Sequence, residues 1–167
     1  TSSDDIIPIN YGNYYALLIG NNEYEHLENL KTPINDVDQI ASMLTEGFGF
    51  NATVLHNATR SETLAALNKF RNSLTPEDNF LLYYAGHGEM DKKVDEGYWQ
   101  PSDAESNDDA NWISNDSITT RLRGFESNNI LVIADSCYSG VVFRGGKSPG
   151  ASTKLNQAVL QRMIEKR

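Results

Sequence analysis

Four apolar runs constrain this chain more than any other feature. Tyr14-Tyr15-Ala16-Leu17-Leu18-Ile19-Gly20, Phe80-Leu81-Leu82-Tyr83-Tyr84-Ala85-Gly86 and Asn129-Ile130-Leu131-Val132-Ile133-Ala134-Asp135 are continuous, and Ala52-Thr53-Val54-Leu55-His56 is a shorter fourth. A strand with one wet face alternates apolar and polar residues. A strand that is apolar throughout needs cover on both faces, as in a parallel sheet between helices. Helical patterns fall between the runs. After Pro33, residues Val37, Ile40, Ala41 and Leu44 recur at helical spacing, and Gly47 is expected to stop them. Thr59 with Glu62 three places on has the form of a capping box ahead of Leu64, Leu67, Phe70 and Leu74. A weaker helix runs from Ser114 to Leu122, capped by Ser114 or Asn115. This alternation predicts an α/β sandwich with a mostly parallel sheet.

Residues Glu89 to Asn111 break the rhythm, with Tyr98-Trp99-Gln100-Pro101 as a short hairpin strand in what reads as a surface insertion. Beyond Gly140 the chain turns glycine-rich and basic, and Lys154 to Arg167 is helix-compatible. Charge narrows the partners. With 14 Lys and Arg against 23 Asp and Glu, the net charge is −9, which argues against a nucleic-acid binder. No stretch approaches the ~20 apolar residues of a membrane helix. The lone cysteine excludes an intrachain disulfide and suits a reducing, cytoplasmic compartment. The start, Thr1-Ser2-Ser3-Asp4-Asp5, reads as a boundary within a longer protein.

In open α/β sheets, sites collect beyond the carboxyl ends of the strands. Two such ends carry reactive residues: Ala85-Gly86-His87-Gly88-Glu89 and Asp135-Ser136-Cys137-Tyr138-Ser139-Gly140. If these strands are neighbours, an imidazole and a thiol emerge together. The imidazole would draw the proton from the thiol and later return it to a leaving amine. The backbone N–H groups of Gly88 and Cys137 are candidate oxyanion donors. Taken singly, a cysteine or a histidine at a strand end is as well read as a packing residue, and spacing alone does not decide between the two readings.

The motifs resemble those of the caspase/metacaspase superfamily. Asp135-Ser136-Cys137-Tyr138-Ser139-Gly140 is similar to the metacaspase Asp-x-Cys-x-Ser-Gly pattern and lies fifty positions after His87. Tyr15 to Gly20, Asn35-Asp36-Val37, Tyr84 to Gly88 and Gly97 to Asp103 resemble further motifs of bacterial caspase-like peptidases. The likeness covers about residues 14 to 143, and it implies a caspase-like catalytic large-subunit domain over residues 1–143 followed by a flexible loop and C-terminal intersubunit segment over 144–167. It implies a caspase-like three-layer α/β/α sandwich, a His87–Cys137 dyad, and an acidic pocket formed by Asp36 and Asp135. Two carboxylates in one cavity would hold an Arg or Lys side chain, so cleavage of a peptide or protein substrate after a basic residue is expected. The resemblance also implies a separate small subunit from the same precursor, covering an otherwise unpaired strand edge, and Lys166-Arg167 fits a self-cleaved end and an arbitrary truncation equally well. Ala85 stands where many metacaspases have Ser. The neighbourhood of Val141-Val142-Phe143-Arg144 lacks an Asp found in calcium-dependent members, and Ser114 and Asn115 replace acids of their calcium site. No metal or other cofactor is expected, and Asp91, Asp95, Glu96, Asp103 and Asp108 are read as a solvated face. A catalytically silent scaffold of the same fold is the competing reading.

Overall fold

The structure is a computed structural model that describes residues 11–136; Cys137 and the segment assigned to the intersubunit role lie outside the described residues. Three of the continuous apolar runs form β1 (Tyr14–Gly20), β3 (Asn79–Ala85) and β7 (Asn129–Asp135), and the fourth forms β2 (Asn51–His56). They make one sheet in the order β2-β1-β3-β7, and every pair in it is parallel. Ala16, Leu18, Leu81, Tyr83 and Ala85 turn to one face, and Leu17, Ile19, Phe80, Leu82 and Tyr84 to the other. Both sets are buried because both faces are covered, which is what uninterrupted apolarity demanded. Removing a side chain such as Leu17 or Leu82 from water contributes about 1.5–3 kcal/mol.

Helix α1 (Pro33–Phe48) covers the first face with Val37, Ala41 and Leu44. Helices α2 (Arg60–Arg71) and α3 (Asn115–Leu122) contribute Leu67, Phe70 and Ile118 to the second. The architecture is therefore the expected α/β/α sandwich. The capping box of α2 is present: the Thr59 side chain accepts from Glu62 N–H, and the Glu62 carboxylate accepts from Thr59 N–H at 2.9 Å. Donation from the Thr59 N–H first, and then from the Thr59 hydroxyl at 2.9 Å, holds the Glu62 carboxyl below its ordinary pKa. Ser114 caps α3, its hydroxyl accepting from Ser117 N–H. One boundary differs from expectation. Helix α1 passes through Gly47 and stops at Gly49, because the left-handed conformation that ends the helix (φ 70°) falls there.

The insertion is more structured than its polarity suggests. It forms an antiparallel sheet of β4 (Gly88–Asp91), β5 (Glu96–Trp99) and β6 (Ile113–Ser114). Trp99 is buried and stacks on Tyr84, with ring centroids 4.5 Å apart and planes 8° from parallel. The hairpin is thus joined to the core by an aromatic pair. Several of its acids serve backbone amides: Asp103 accepts from Arg60 N–H at the start of α2, and Glu96 accepts from Asp116 N–H.

Candidate active site

Strands β3 and β7 are neighbours, as the strand-end motifs required. Their register sets Ala85 opposite Asp135 and Tyr83 opposite Ile133. The Gly86 N–H reaches the Asp135 carbonyl at 3.4 Å, so the two chains still run together one residue past β3. His87 and Cys137 each follow that paired position by two residues.

Among the described residues, partners hold the N–H, the carbonyl and one ring nitrogen of His87. Its backbone N–H donates to Tyr24 Oη at 2.8 Å. Its carbonyl accepts from Gln100 N–H at 3.0 Å and from Tyr84 Oη at 2.8 Å. The Tyr24 ring lies against the imidazole, with centroids 4.7 Å apart. Ring atom Nε2 is 2.7 Å from the Glu28 carbonyl. A carbonyl only accepts, so Nε2 carries the hydrogen in the neutral ring and Nδ1 keeps a lone pair. The half-buried imidazole is therefore left with Nδ1 as its acceptor atom.

Gly88 follows at the start of β4. Because Gln100 N–H bonds the His87 carbonyl, Gly88 and Trp99 form an antiparallel pair of the non-hydrogen-bonded kind. The Gly88 N–H consequently points away from β5, along the open edge of the small sheet.

The two acids sit on the α1 side of the large sheet. Asp135 ends β7 in the alternation of Leu131 and Ile133, and its Oδ2 accepts from Tyr83 Oη at 3.2 Å. Asp36 lies in the first turn of α1 and is half-buried. Among the described residues nothing holds its carboxylate by a hydrogen bond or ion pair. Ala85, the departure noted in the sequence, is buried at the end of β3. Among the described residues, no group of three or more His, Cys, Asp or Glu side chains is arranged to hold a metal ion. No described helix is long and apolar enough to cross a membrane.

Two parts of the site gave no sequence signal. Tyr24 is one aromatic in a polar loop, and the Glu28 contribution is a main-chain oxygen that any residue would supply. The glycine at 86 has a packing reason. A Cβ there would stand 2.7 Å from both the Tyr24 and Tyr84 hydroxyl oxygens, so the residue must be glycine for those phenols to close around His87.

A parallel sheet clad on both faces, with an oriented histidine at one strand tip and a cysteine just past the next, is the framework of an α/β cysteine-peptidase domain. The caspase-domain family model matches residues 13–163, and the chain belongs to that family. It is 30% identical to metacaspase-1A of Aspergillus oryzae over 102 residues, covering 52% of this chain and 24% of the relative. It is 38% identical to human mucosa-associated lymphoid tissue lymphoma translocation protein 1 over 73 residues, covering 44% of this chain and 9% of that protein. The alignment with metacaspase-1 of Ajellomyces capsulatus is longer, at 24% identity over 151 residues, 77% of this chain and 41% of the relative. A solved protein from Geobacter sulfurreducens shares the fold, with a TM-score of 0.64 over 92% of this chain and 66% of its own, at 24% identity. The chain spans about a quarter of the Aspergillus metacaspase it matches.

Proposed function

We propose that the chain carries the nucleophile and base of a cysteine endopeptidase that cleaves after Arg or Lys. The observation that carries the reading is the parallel pairing of β3 with β7, with Ala85 opposite Asp135, which directs the chains bearing His87 and Cys137 out of the same end of the sheet. In the reaction, His87 Nδ1 takes the thiol proton, and the Cys137 sulfur attacks the scissile carbonyl carbon. The oxyanion is met by the N–H groups of Gly88 and Cys137. The imidazolium gives its proton to the leaving amine as the carbon–nitrogen bond breaks. Water, deprotonated by the same nitrogen, then releases the acid and restores the thiol.

Specificity for a basic side chain is assigned to Asp36 and Asp135. Among the described residues no group neutralises the carboxylate of Asp36, and the neutral Tyr83 hydroxyl is what bonds Asp135, which leaves negative charge for a substrate cation on the α1 side of the sheet. The catalytic unit is residues 1–143, working in a reducing, cytoplasmic setting that keeps the lone cysteine as a thiol. It is completed by a small subunit from the same precursor, released by proteolytic processing. Supporting this, β7 ends the sheet among the described residues, where Val132 is 40% exposed and Ile130, Leu131 and Ile133 are only partly buried.

The test is hydrolysis of a fluorogenic peptide with Arg before the reporter, by the full parent protein and its variants. Cys137→Ala and His87→Ala are each expected to abolish turnover. Retained turnover in either would end the proposal. Labelling of Cys137 by a peptidyl electrophile ending in Arg separates this reading from a silent scaffold, whose thiol would stay unmodified.

A further inference from the structure

The loop between β1 and α1, residues 21–32, reaches His87 at three places. Tyr24 Oη accepts the His87 backbone N–H, the Tyr24 ring covers one face of the imidazole, and the Glu28 carbonyl takes Nε2–H. Two of these three contacts come from one side chain. Tyr24 is itself held in place: its N–H donates to Asn29 Oδ1 at 2.9 Å, and the next N–H, of Glu25, donates to the Ser102 carbonyl at 2.9 Å. On the other side, Tyr84 Oη bonds the carbonyls of both His87 and Gln100. The peptide unit before His87 is thus enclosed by two phenols that leave no space for a side chain at Gly86. Burial, working against hydrogen bonds from His87, Tyr84 and Asn21, raises the Tyr24 pKa, so its hydroxyl stays neutral at physiological pH.

We propose that Tyr24 is a positioning residue for His87. It fixes the backbone through its hydroxyl and the ring plane through its face, so that the Glu28 carbonyl holds Nε2–H and Nδ1 stays turned to the nucleophile. The proposal rests on His87 acting as the base, but its structural content is separable from catalysis. An imidazole tied only by one edge to a loop carbonyl can rotate about its χ angles. A second contact across its face removes that freedom, and misplacement of a catalytic group by about 1 Å costs on the order of 100-fold.

The test compares Tyr24→Phe and Tyr24→Ala in the full parent protein with two readouts. The first is the pair kcat and KM on the Arg peptide. The second is the imidazole 15N spectrum after histidine-selective labelling, with the His87 signals assigned by their loss in His87→Ala. Tyr24→Ala is expected to lower kcat by about 10- to 100-fold with KM within about twofold. In its spectrum the Nε2–H pattern of His87 gives way to averaged nitrogen shifts. Tyr24→Phe keeps the ring contact and loses the hydroxyl, so it is expected to retain the Nε2–H pattern and lose about 2- to 10-fold in kcat. A folded Tyr24→Ala protein with wild-type kcat and wild-type His87 nitrogen shifts overturns the proposal. If Tyr24→Ala does not fold, Tyr24→Phe decides, and an unchanged kcat with an unchanged His87 amide shift overturns it. Absence of turnover in the parent protein would defeat the peptidase reading alone, since the nitrogen spectrum still reports whether Tyr24 holds the ring.

Discussion

Asp78 shows how much one side chain can do in this fold. It is buried, yet its Oδ1 accepts from Asn13 N–H at 3.0 Å and Asn13 Nδ2 at 3.2 Å, while Oδ2 accepts from Thr75 N–H at 2.8 Å and Thr75 Oγ1 at 3.0 Å. Burial acts to raise its pKa, but the four donors outweigh it and leave the carboxyl below its ordinary 3.8. A depressed carboxyl stabilises the folded state above its unfolded pKa, and that stabilisation disappears as the pH falls through the folded value. Asp78→Asn puts an NH2 group against existing donors and is expected to cost about 1–3 kcal/mol at pH 7. In urea titrations the gap between variant and wild type should narrow as the pH is taken below 3.8. At the site, Asp135→Ala is expected to lower kcat/KM for an Arg peptide by roughly 10- to 100-fold, the loss of one charge-assisted bond. An unaltered rate would remove Asp135 from the pocket. Its Tyr83 partner should not move with it, because Tyr83 belongs to the buried α1-side cluster.

At the scale of elements, the β1–α1 loop is the part that joins the sheet to the histidine, and it is braced from the turn after β2. Asn57 sits there in the left-handed region (φ 50°), and its Oδ1 accepts from Asn22 N–H at 2.8 Å and Glu23 N–H at 3.0 Å. Asn22 in turn caps α1 at a distance, its Oδ1 accepting from Ile34 N–H at 3.0 Å, which the Thr32 side chain does not do. Asn57→Ala loses two acceptors and strains a backbone that asparagine tolerates. A loss of about 1–3 kcal/mol is expected from denaturation midpoints. Because Tyr24 and Glu28 ride on this loop, kcat should fall with it. The capping box of α2 makes a simpler case. Thr59→Ala should cost about 1 kcal/mol in the same measurement, with kcat unchanged, since α2 lies on the opposite face from Asp36 and Asp135.

For the molecule as a whole, the uneven cover of the sheet matters most. Strands β1 and β3 lie inside the sheet and are mostly buried, whereas β7, like β2, is an edge among the described residues and carries the exposed Val132. A parallel edge strand with apolar residues on both faces is a template for further pairing. The small subunit proposed above would continue the sheet beside β7 and cover Ile130, Val132 and Leu131. Val132→Asp should then leave the thermal midpoint of this chain almost unchanged, because an exposed position rarely contributes more than ~0.5 kcal/mol. The same change should weaken association with the small subunit, as read by sedimentation of the processed parent protein. Equal sedimentation of the variant and wild-type complexes would place the interface elsewhere.

Local pattern determined the large elements. Uninterrupted apolar runs required cover on both faces, helical spacing between them supplied it, and Thr59-x-x-Glu62 and Ser114 marked where two helices begin. His87 could be singled out for the same reason, since a strand end followed by glycine is a local feature. Only the tertiary structure decided how that histidine is held. The Tyr24 phenol, the Glu28 carbonyl and the Tyr84 hydroxyl reach it from separate positions in the chain, through contacts that have no periodicity to betray them. The hairpin misled for a related reason. Its composition is polar because most of it faces water, while its place in the fold is set by Trp99, which is buried against Tyr84. Periodicity records which face of an element is covered. It carries no record of which distant side chain does the covering, and the orientation of His87 depends on that.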